Sequence, residues 1–398
     1  MRTSIKAMGL GLAGLLIAAT PAVAAQAAPA HPHGRHAERV CAATGHAAVA
    51  SCDAEVLVSN STGRVPATST PPATALTPSQ LRDAYKLGSA SSGGRTVAVV
   101  DAYGYPNLER DLATYRSQFG LSACTTGNGC LRIMDQNGGS SLPRFNAGWA
   151  GETALDVDAI SAACPDCHIL VVQAQSASIA NLGTAASTAA RQAGVVAISN
   201  SYGGGDLADS TYGGYYNHPG IAVTASTGDN GYQGGSFPAS SDYVTAVGGT
   251  SLVAAGNSRG WSESAWSGAG SGCSTVNGAL AAASGANTGC SMRAIADVSA
   301  AADPSYGGLA VYYPTSKSVS TWAQVGGTSE SSPIIASVYA MSGNTAGYAN
   351  AIPYSHSGSL FDVTSGSNGS CPTSQWCTAR TGWDGPTGLG TPNGTGAF

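Results

Sequence analysis

Three short segments of this chain carry residue types able to work on a carbonyl group. Gly326-Gly327-Thr328-Ser329-Glu330-Ser331-Ser332-Pro333 runs into an apolar stretch with Ile334, Ile335, Val338 and Tyr339. The paired glycines allow a tight turn, which puts Ser329 at the start of a buried helix. There the free backbone N–H groups and the helix dipole favour an anionic transition state. An ordinary Ser/Thr helix cap would use the same residue types. In Gly151-Glu152-Thr153-Ala154-Leu155-Asp156-Val157-Asp158, Glu152 and Asp156 are four apart, so a helix over 152–163 sets both carboxyls on one side. Like charges at that spacing repel by roughly 0.2–0.5 kcal/mol. Either they serve a helix N-terminus, which acids suit, or they share a proton, so that one acts as general base while the other orients it. The third segment, Ala225-Ser226-Thr227-Gly228-Asp229-Asn230-Gly231, follows an apolar strand. Asp229 either closes an Asp-Asn-Gly turn or, when protonated, donates a hydrogen bond to an oxyanion, a role that ties activity to low pH.

The elements that must position these residues are legible in outline. Apolar runs at 96–100, 169–172, 195–198 and 221–224 alternate with helical patterns near 107–119, 152–163 and 179–193. Uninterrupted β-branched strands separated by helices predict a doubly wound α/β fold, a mostly parallel sheet with helices on both faces. In such sheets ligands bind at the carboxyl ends of the strands, which singles out the loops after Val100, Ile198 and Thr224. The ordered domain is expected from Thr77 onward, where Thr77 can cap a helix and Pro78 suits its first position. Residues 30–75, rich in Ala, Pro, Ser, Thr and His, read as weakly structured, with 26–76 a possible short propeptide.

Taken together, the three segments resemble the motifs of the sedolisins, the serine-carboxyl peptidases: Glu-x-x-x-Asp, Ser-Gly-Asp and Gly-Thr-Ser-x-Ser-x-Pro, in that order. Further likeness lies in Phe237-Pro238-Ala239-Ser240, in 243–250 and in Asp297-Val298-Ser299-Ala300, and the resemblance covers about residues 77–398. It implies a subtilisin-like fold and an endopeptidase acting at acidic pH. Ser329 would attack the scissile carbonyl, Glu152 would take and return its proton, Asp156 would hold Glu152, and Asp229 would help form the oxyanion hole. A carboxylate is a weak base and relays protons best where its pKa lies near the working, acidic pH. By the same resemblance Ser201, Tyr202 and Gly203 pair with extended substrate, a strand-addition mode in which the backbone supplies affinity. C-terminal loops would hold one structural Ca2+ through the carboxylates of Asp362 and Asp384 and the carbonyls of Val363, Arg380 and Gly382. Sedolisins usually carry a long folded prodomain. Here fewer than about sixty residues separate the expected signal from Thr77, so self-inhibition should be weaker or different.

Composition bounds the rest. Arg2 and Lys6, then an apolar run from Met8 to Ala19 and small residues near Ala24, read as a secretory signal over 1–25, and the product as secreted and extracellular. Only 10% of residues are charged and the formal net charge is −5, so there is no basic footprint for nucleic acid; the first apolar run is too short for a membrane span and no later stretch approaches the roughly 20 apolar residues needed. The partners expected are protein or peptide substrates, the protein itself being a monomer. Ten cysteines fall into sequence-local couples, 41/52, 124/130, 164/167, 273/290 and 371/377, which predict five short disulfides. Three other readings compete: a silent binding module on the same fold, a Ser-His-Asp enzyme using Asp101, and a haem carrier through Cys164-x-x-Cys167-His168.

Overall fold

The structure is a computed structural model that describes residues 1, 3, 4, 34–344 and 346–398. The expected signal, three residues apart, lies outside the described residues. So do residues 26–33 of the expected N-terminal segment.

In chain order the strands that matter are β1 (Arg35–Arg39), β2 (Ser51–Cys52), β3 (Glu55–Ser59), β4 (Thr96–Ala102), β5 (Leu131–Asp135), β6 (His168–Ala174), β7 (Val195–Asn200) and β8 (Tyr202–Gly203). They continue with β9 (Ala222–Ser226), β10 (Thr245–Ala254), β11 (Trp261–Ala265), β12 (Gly272–Cys273), β13 (Ala294–Ile295), β14 (Val298–Ala301), β15 (Leu309–Pro314) and β16 (Ser320–Gly326). The helices used below are α1 (Pro78–Ala84), α2 (Leu108–Gln118), α3 (Ala147–Ala163), α4 (Ile179–Ala190), α5 (Asp209–Tyr212) and α6 (Thr328–Ser342).

The main sheet has the order β11-β10-β9-β7-β4-β6-β5, with β14 also paired to β10. Every pairing in it is parallel except that of β10 with β11. Strand periodicity explains why β4 reads as an unbroken apolar run. Val97 and Val99 face the core shared with α3 and α6, while Ala98 and Val100 face the core shared with α4. Asp101, next on the first of these faces, therefore ends β4 on the side of α3 and α6. The expected sheet, its strands and its helices on both faces are present, and all five cysteine couples are disulfides. The Cys164–Cys167 bond leaves no thiols for covalent haem attachment at that motif.

Two sequence expectations need correction. Helix α3 starts at Ala147, capped by Asn146, whose side chain accepts from Trp149 N, so Glu152 and Asp156 lie in mid-helix rather than in its first turn. The helix-terminus explanation for their presence therefore fails. The region read as weakly structured instead contains β1 and β3, which pair along Arg35↔Ser59 to Arg39↔Glu55. Strand β3 then adds to β16, in an antiparallel sheet of order β1-β3-β16-β15. Its apolar core residues Val56 and Val58 join the main hydrophobic cluster. The charged, short β1 on its outer edge hid this hairpin from a reading based on apolar periodicity.

Candidate active site

Helix α6 begins where β16 ends, and the junction turns on Gly327, whose φ of 100° is a conformation that favours glycine. A Cβ at this position would collide with the carbonyl oxygen of Asp53 and with Asp229 Oδ2. Gly327 is also the N-cap, without a side chain to cap with, so Ser329 is not the helix cap. That task falls to Asp229, whose Oδ1 accepts from Thr328 N and Thr328 Oγ1, both at 2.8 Å. Asp229 thus does more than close its own turn: it bridges from the end of β9 to the start of α6, and its buried Oδ2 is left without a partner among the described residues.

Ser329 is fully buried. Its hydroxyl donates to the carbonyl of Ser201 at 3.2 Å, and its N–H donates to the carbonyl of Asp53 at 2.9 Å. Ser201 in turn donates from Oγ to Asp156 Oδ1 at 2.6 Å. Its hydroxyl also lies 3.3 Å from the Ser329 carbonyl, but with one proton to give it serves the closer carboxylate. Helices α3 and α6 both pack on the Val97/Val99 face of the sheet, which brings Glu152 and Asp156 to Ser329.

The carboxyls gather closely, with Arg39 opposing the rise at Asp53. Burial drives the Glu152 pKa well above the usual carboxylate range; Asp156, Asp101 and Asp53 push it further up, and only the Ser329 hydroxyl works the other way. Asp156 is likewise raised by burial and then by Asp101, against the bond from Ser201. Burial lifts Asp229, with Asp53 and Glu55 adding to it and the two Thr328 bonds opposing. Asp101, read from sequence as a strand-end residue, belongs to this cluster. Burial raises it to about 7, and its oxygens have no partner among the described residues. Gln173, its register partner on β6, brings a buried amide to the same sheet face. Sequence reasoning also missed Asp53, 7% exposed, whose Oδ2 accepts from Ser226 Oγ at 2.7 Å. A group of mutually repelling, buried carboxyls shares protons and titrates as a unit, which is chemistry suited to moving one proton on and off a neighbouring hydroxyl.

Among the described residues no histidine hydrogen-bonds to Ser329 or to these carboxyls. Ser329 Oγ bonds to Ser201, and His36, His218 and His356 hydrogen-bond elsewhere.

Of the residues expected to pair with substrate, Tyr202 and Gly203 form β8 and pair antiparallel with Cys52 and Ser51 of this same chain. The residues expected to hold calcium lie in one loop cluster. Asp362 Oδ2 accepts from Gly382 N at 3.0 Å, and Asp384 Oδ2 from Arg380 N at 3.1 Å. Asp384 is buried, and Asp362 is close enough to help push its pKa up. Two carboxylates pressed together, with the backbone of Val363, Arg380 and Gly382 beside them, are donors of the kind a hard cation takes. Among the described residues no group of three or more His, Cys, Asp or Glu could hold a metal, and this set contains only two acids.

A mostly parallel sheet with helices on both faces, and a buried serine at the start of a central helix, define a subtilisin-like α/β protein. The structure of Pseudomonas sedolisin, a serine-carboxyl proteinase complexed with two molecules of pseudo-iodotyrostatin, matches this fold with a TM-score of 0.66 at 24% identity, over 80% of this chain and 95% of that one. In sequence the chain is 29% identical over 359 residues to kumamolisin from Bacillus sp., covering 81% of this chain and 62% of that protein. It is 40% identical over 77 residues to tripeptidyl-peptidase sed1 of Aspergillus fumigatus, covering 17% of this chain and 12% of that protein. The chain therefore spans less than two thirds of the length of kumamolisin and of sed1. No family model matches it. The matches point to the sedolisin family.

Proposed function

We propose that this protein is a secreted serine-carboxyl endopeptidase that hydrolyses peptide bonds at acidic pH. The observation that carries this reading is the setting of Ser329: its N–H points at a peptide carbonyl, its hydroxyl lies beside a buried cluster of proton-sharing carboxyls, and an uncapped carboxyl oxygen of Asp229 stands across Gly327. In this mechanism Ser329 Oγ attacks the carbonyl carbon while Glu152, once ionised, takes its proton. Asp156, oriented by Ser201, stabilises the pair, and the proton returns to the departing amine. Ser329 N–H and protonated Asp229 hold the oxyanion. Water then repeats the sequence on the acyl-enzyme. Sharing of protons within the cluster lets one carboxyl ionise ahead of the others, so a base is present in acid.

A bound Ca2+ would be held by Asp362 and Asp384 with the carbonyls of Val363, Arg380 and Gly382, and would supply stability to the C-terminal loops. Secretion rests on the signal-like first 25 residues and on the five disulfides. Among the described residues no helix is long and apolar enough to cross a membrane.

Hydrolysis of an unfolded protein from pH 3 to 8 tests the reading, with Ser329→Ala and Glu152→Gln beside the parent. Cleavage favoured by acid and lost in both variants is the expected result. Cleavage that peaks near neutral pH and survives Glu152→Gln would refute the carboxyl mechanism, and a protein silent at every pH after removal of its N-terminal segment would instead be a binding module.

A further inference from the structure

The recess that takes a side chain next to Ser329 is short and lined by hydroxyls. Its place follows from backbone bonds. Residues 47–53 lie against the edge that ends in β8 as an added strand: Gly205 N donates to the carbonyl of Ala47 at 2.9 Å, Ser51 and Cys52 pair with Gly203 and Tyr202, and Asp53 N donates to the carbonyl of Ser201 at 3.4 Å. The Asp53 carbonyl then accepts from Ser329 N at 2.9 Å, and a Cβ on Gly327 would meet both that oxygen and Asp229 Oδ2. These are the two groups that hold the oxyanion in the proposed mechanism. The Asp53 side chain therefore marks where a substrate must put the side chain on the acyl side of the bond to be cut.

The floor of the recess is the end of β9. Ser226, fully buried there, donates from Oγ to Asp53 Oδ2 at 2.7 Å. Ser236 gives its own proton to the Gly204 carbonyl at 3.2 Å and keeps lone pairs to accept with. It faces the Asp53 carboxyl across Gly203, where a Cβ would lie 2.4 Å from Ser236 Oγ and 3.4 Å from Asp53 Oδ2. The recess thus presents one hydroxyl that gives a proton and one oxygen that takes a proton. Arg39, the cation that acts on Asp53, sits on β1 and arrives with the N-terminal segment rather than with the walls of the recess.

We propose that this recess selects aspartic acid, in its protonated form, on the acyl side of the bond that is cut. The proposal rests on the peptidase reading of the site and names its substrate class. A protonated carboxyl carries both an acceptor and an O–H donor, which matches Ser226 and Ser236. An aliphatic side chain leaves the buried Ser226 hydroxyl unpaired. Glutamic acid is one methylene too long, because the aspartyl carboxyl already stands at hydrogen-bond distance from Ser226, and lysine is longer still. The ionised form is rejected for another reason: Asp229, on the loop after β9, and Glu152, on α3, face this position, and a charge on Asp53 pushes both of them up. In keeping with this, burial raises Asp53 itself to about 7, against the Ser226 bond and Arg39. Substrate choice is thereby tied to acidity separately from the catalytic base. An aspartyl side chain in an unfolded substrate has a pKa of about 3.9, so the share able to enter falls about tenfold between pH 3 and pH 5.

The test uses peptides identical except for Asp, Asn, Glu, Leu or Lys before the cleavable bond, digested by the full chain before and after clipping of its N-terminal segment with an added protease that is then inactivated. At pH 3 the Asp peptide should be cleaved with kcat/KM at least about tenfold above Leu, Glu and Lys, as expected where a buried hydroxyl otherwise goes unpaired. The Asp-to-Asn ratio should fall about tenfold from pH 3 to pH 5, because only Asp ionises. Ser226→Ala should lower the Asp-to-Leu ratio about tenfold, with circular dichroism showing that it is folded. The Asp-to-Asn ratio is read on the parent and decides the matter even if that variant does not fold. Equal cleavage of Asp and Leu peptides, a preference for Glu or Lys, or an Asp-to-Asn ratio flat with pH overturns the proposal and leaves the peptidase reading standing. A folded, clipped protein that cuts none of the peptides between pH 3 and 8 defeats the peptidase reading, and the proposal with it.

Discussion

Replacing Asp101 with asparagine tests whether the buried carboxyls act as one proton-holding unit. Asp101 is fully buried, and burial alone raises it from 3.8 to about 7, with the Thr153 hydroxyl beside it opposing. That hydroxyl gives its own hydrogen bond to the Trp149 carbonyl at 2.8 Å, so it offers little to the carboxylate. A folded-state pKa above the unfolded value means that the group's contribution is fully present below about pH 3.8. It is lost as the pH rises through about 7, because the unfolded chain then gives up a proton that the fold retains. Roughly three pKa units at about 1.4 kcal/mol each set a ceiling near 4 kcal/mol on what the parent loses between pH 4 and 7.5 on this account. Asparagine keeps the shape and does not titrate. We therefore expect Asp101→Asn to gain about 2–4 kcal/mol on the parent at pH 7.5 relative to their difference at pH 4. The assay is urea unfolding at both pH values in the Ser329→Ala background, where autolysis cannot intervene. Parent and variant with parallel stability–pH curves would refute the idea that Asp101 holds a proton in the fold.

Three further outcomes are expected. Ser201→Ala removes the 2.6 Å hydrogen bond to Asp156 Oδ1; kcat should fall more than KM changes, and combining it with Asp156→Asn should add little further loss, as for residues that act as a unit. Arg293 and Asp297 form a fully buried pair in which Nη1 donates to Oδ1 at 2.8 Å and Nη2 to Oδ2 at 2.5 Å, with Tyr354 also donating to Oδ1. Asp297→Ala leaves a guanidinium stranded and should cost about 3–5 kcal/mol in urea unfolding. Chelation of Ca2+ should lower the melting temperature, with stabilisation of about 2.7 kcal/mol at a hundredfold excess of ion over Kd. Asp384→Asn should remove that response, and a melting temperature indifferent to chelator and ion would refute the site.

Much of this protein is written locally. The alternation of Val97 and Val99 with Ala98 and Val100 specifies a strand buried on both faces, and the short spacings of the cysteine couples confine each disulfide to a loop. Gly326-Gly327 before Thr328-Ser329 marks a turn into a helix. In each case a few neighbouring side chains determine the outcome through periodicity, chain reach or allowed φ. Helix α3 was harder to delimit, because Asn146 begins it in a stretch with Gly148 and Gly151 that reads as loop. Gly151 is kept small by the ring of Tyr313 on another element, where a Cβ would clash. The gathering of Asp101, Asp53 and Asp229 around Ser329 was beyond local reading, since their mutual repulsion exists only once β4, α3 and α6 pack together. Least legible was the docking of residues 47–53 in the cleft. Strand addition is made by backbone N–H and C=O groups, which nearly every residue carries, so no side-chain pattern announces it. Only the tertiary structure decides which two backbones meet.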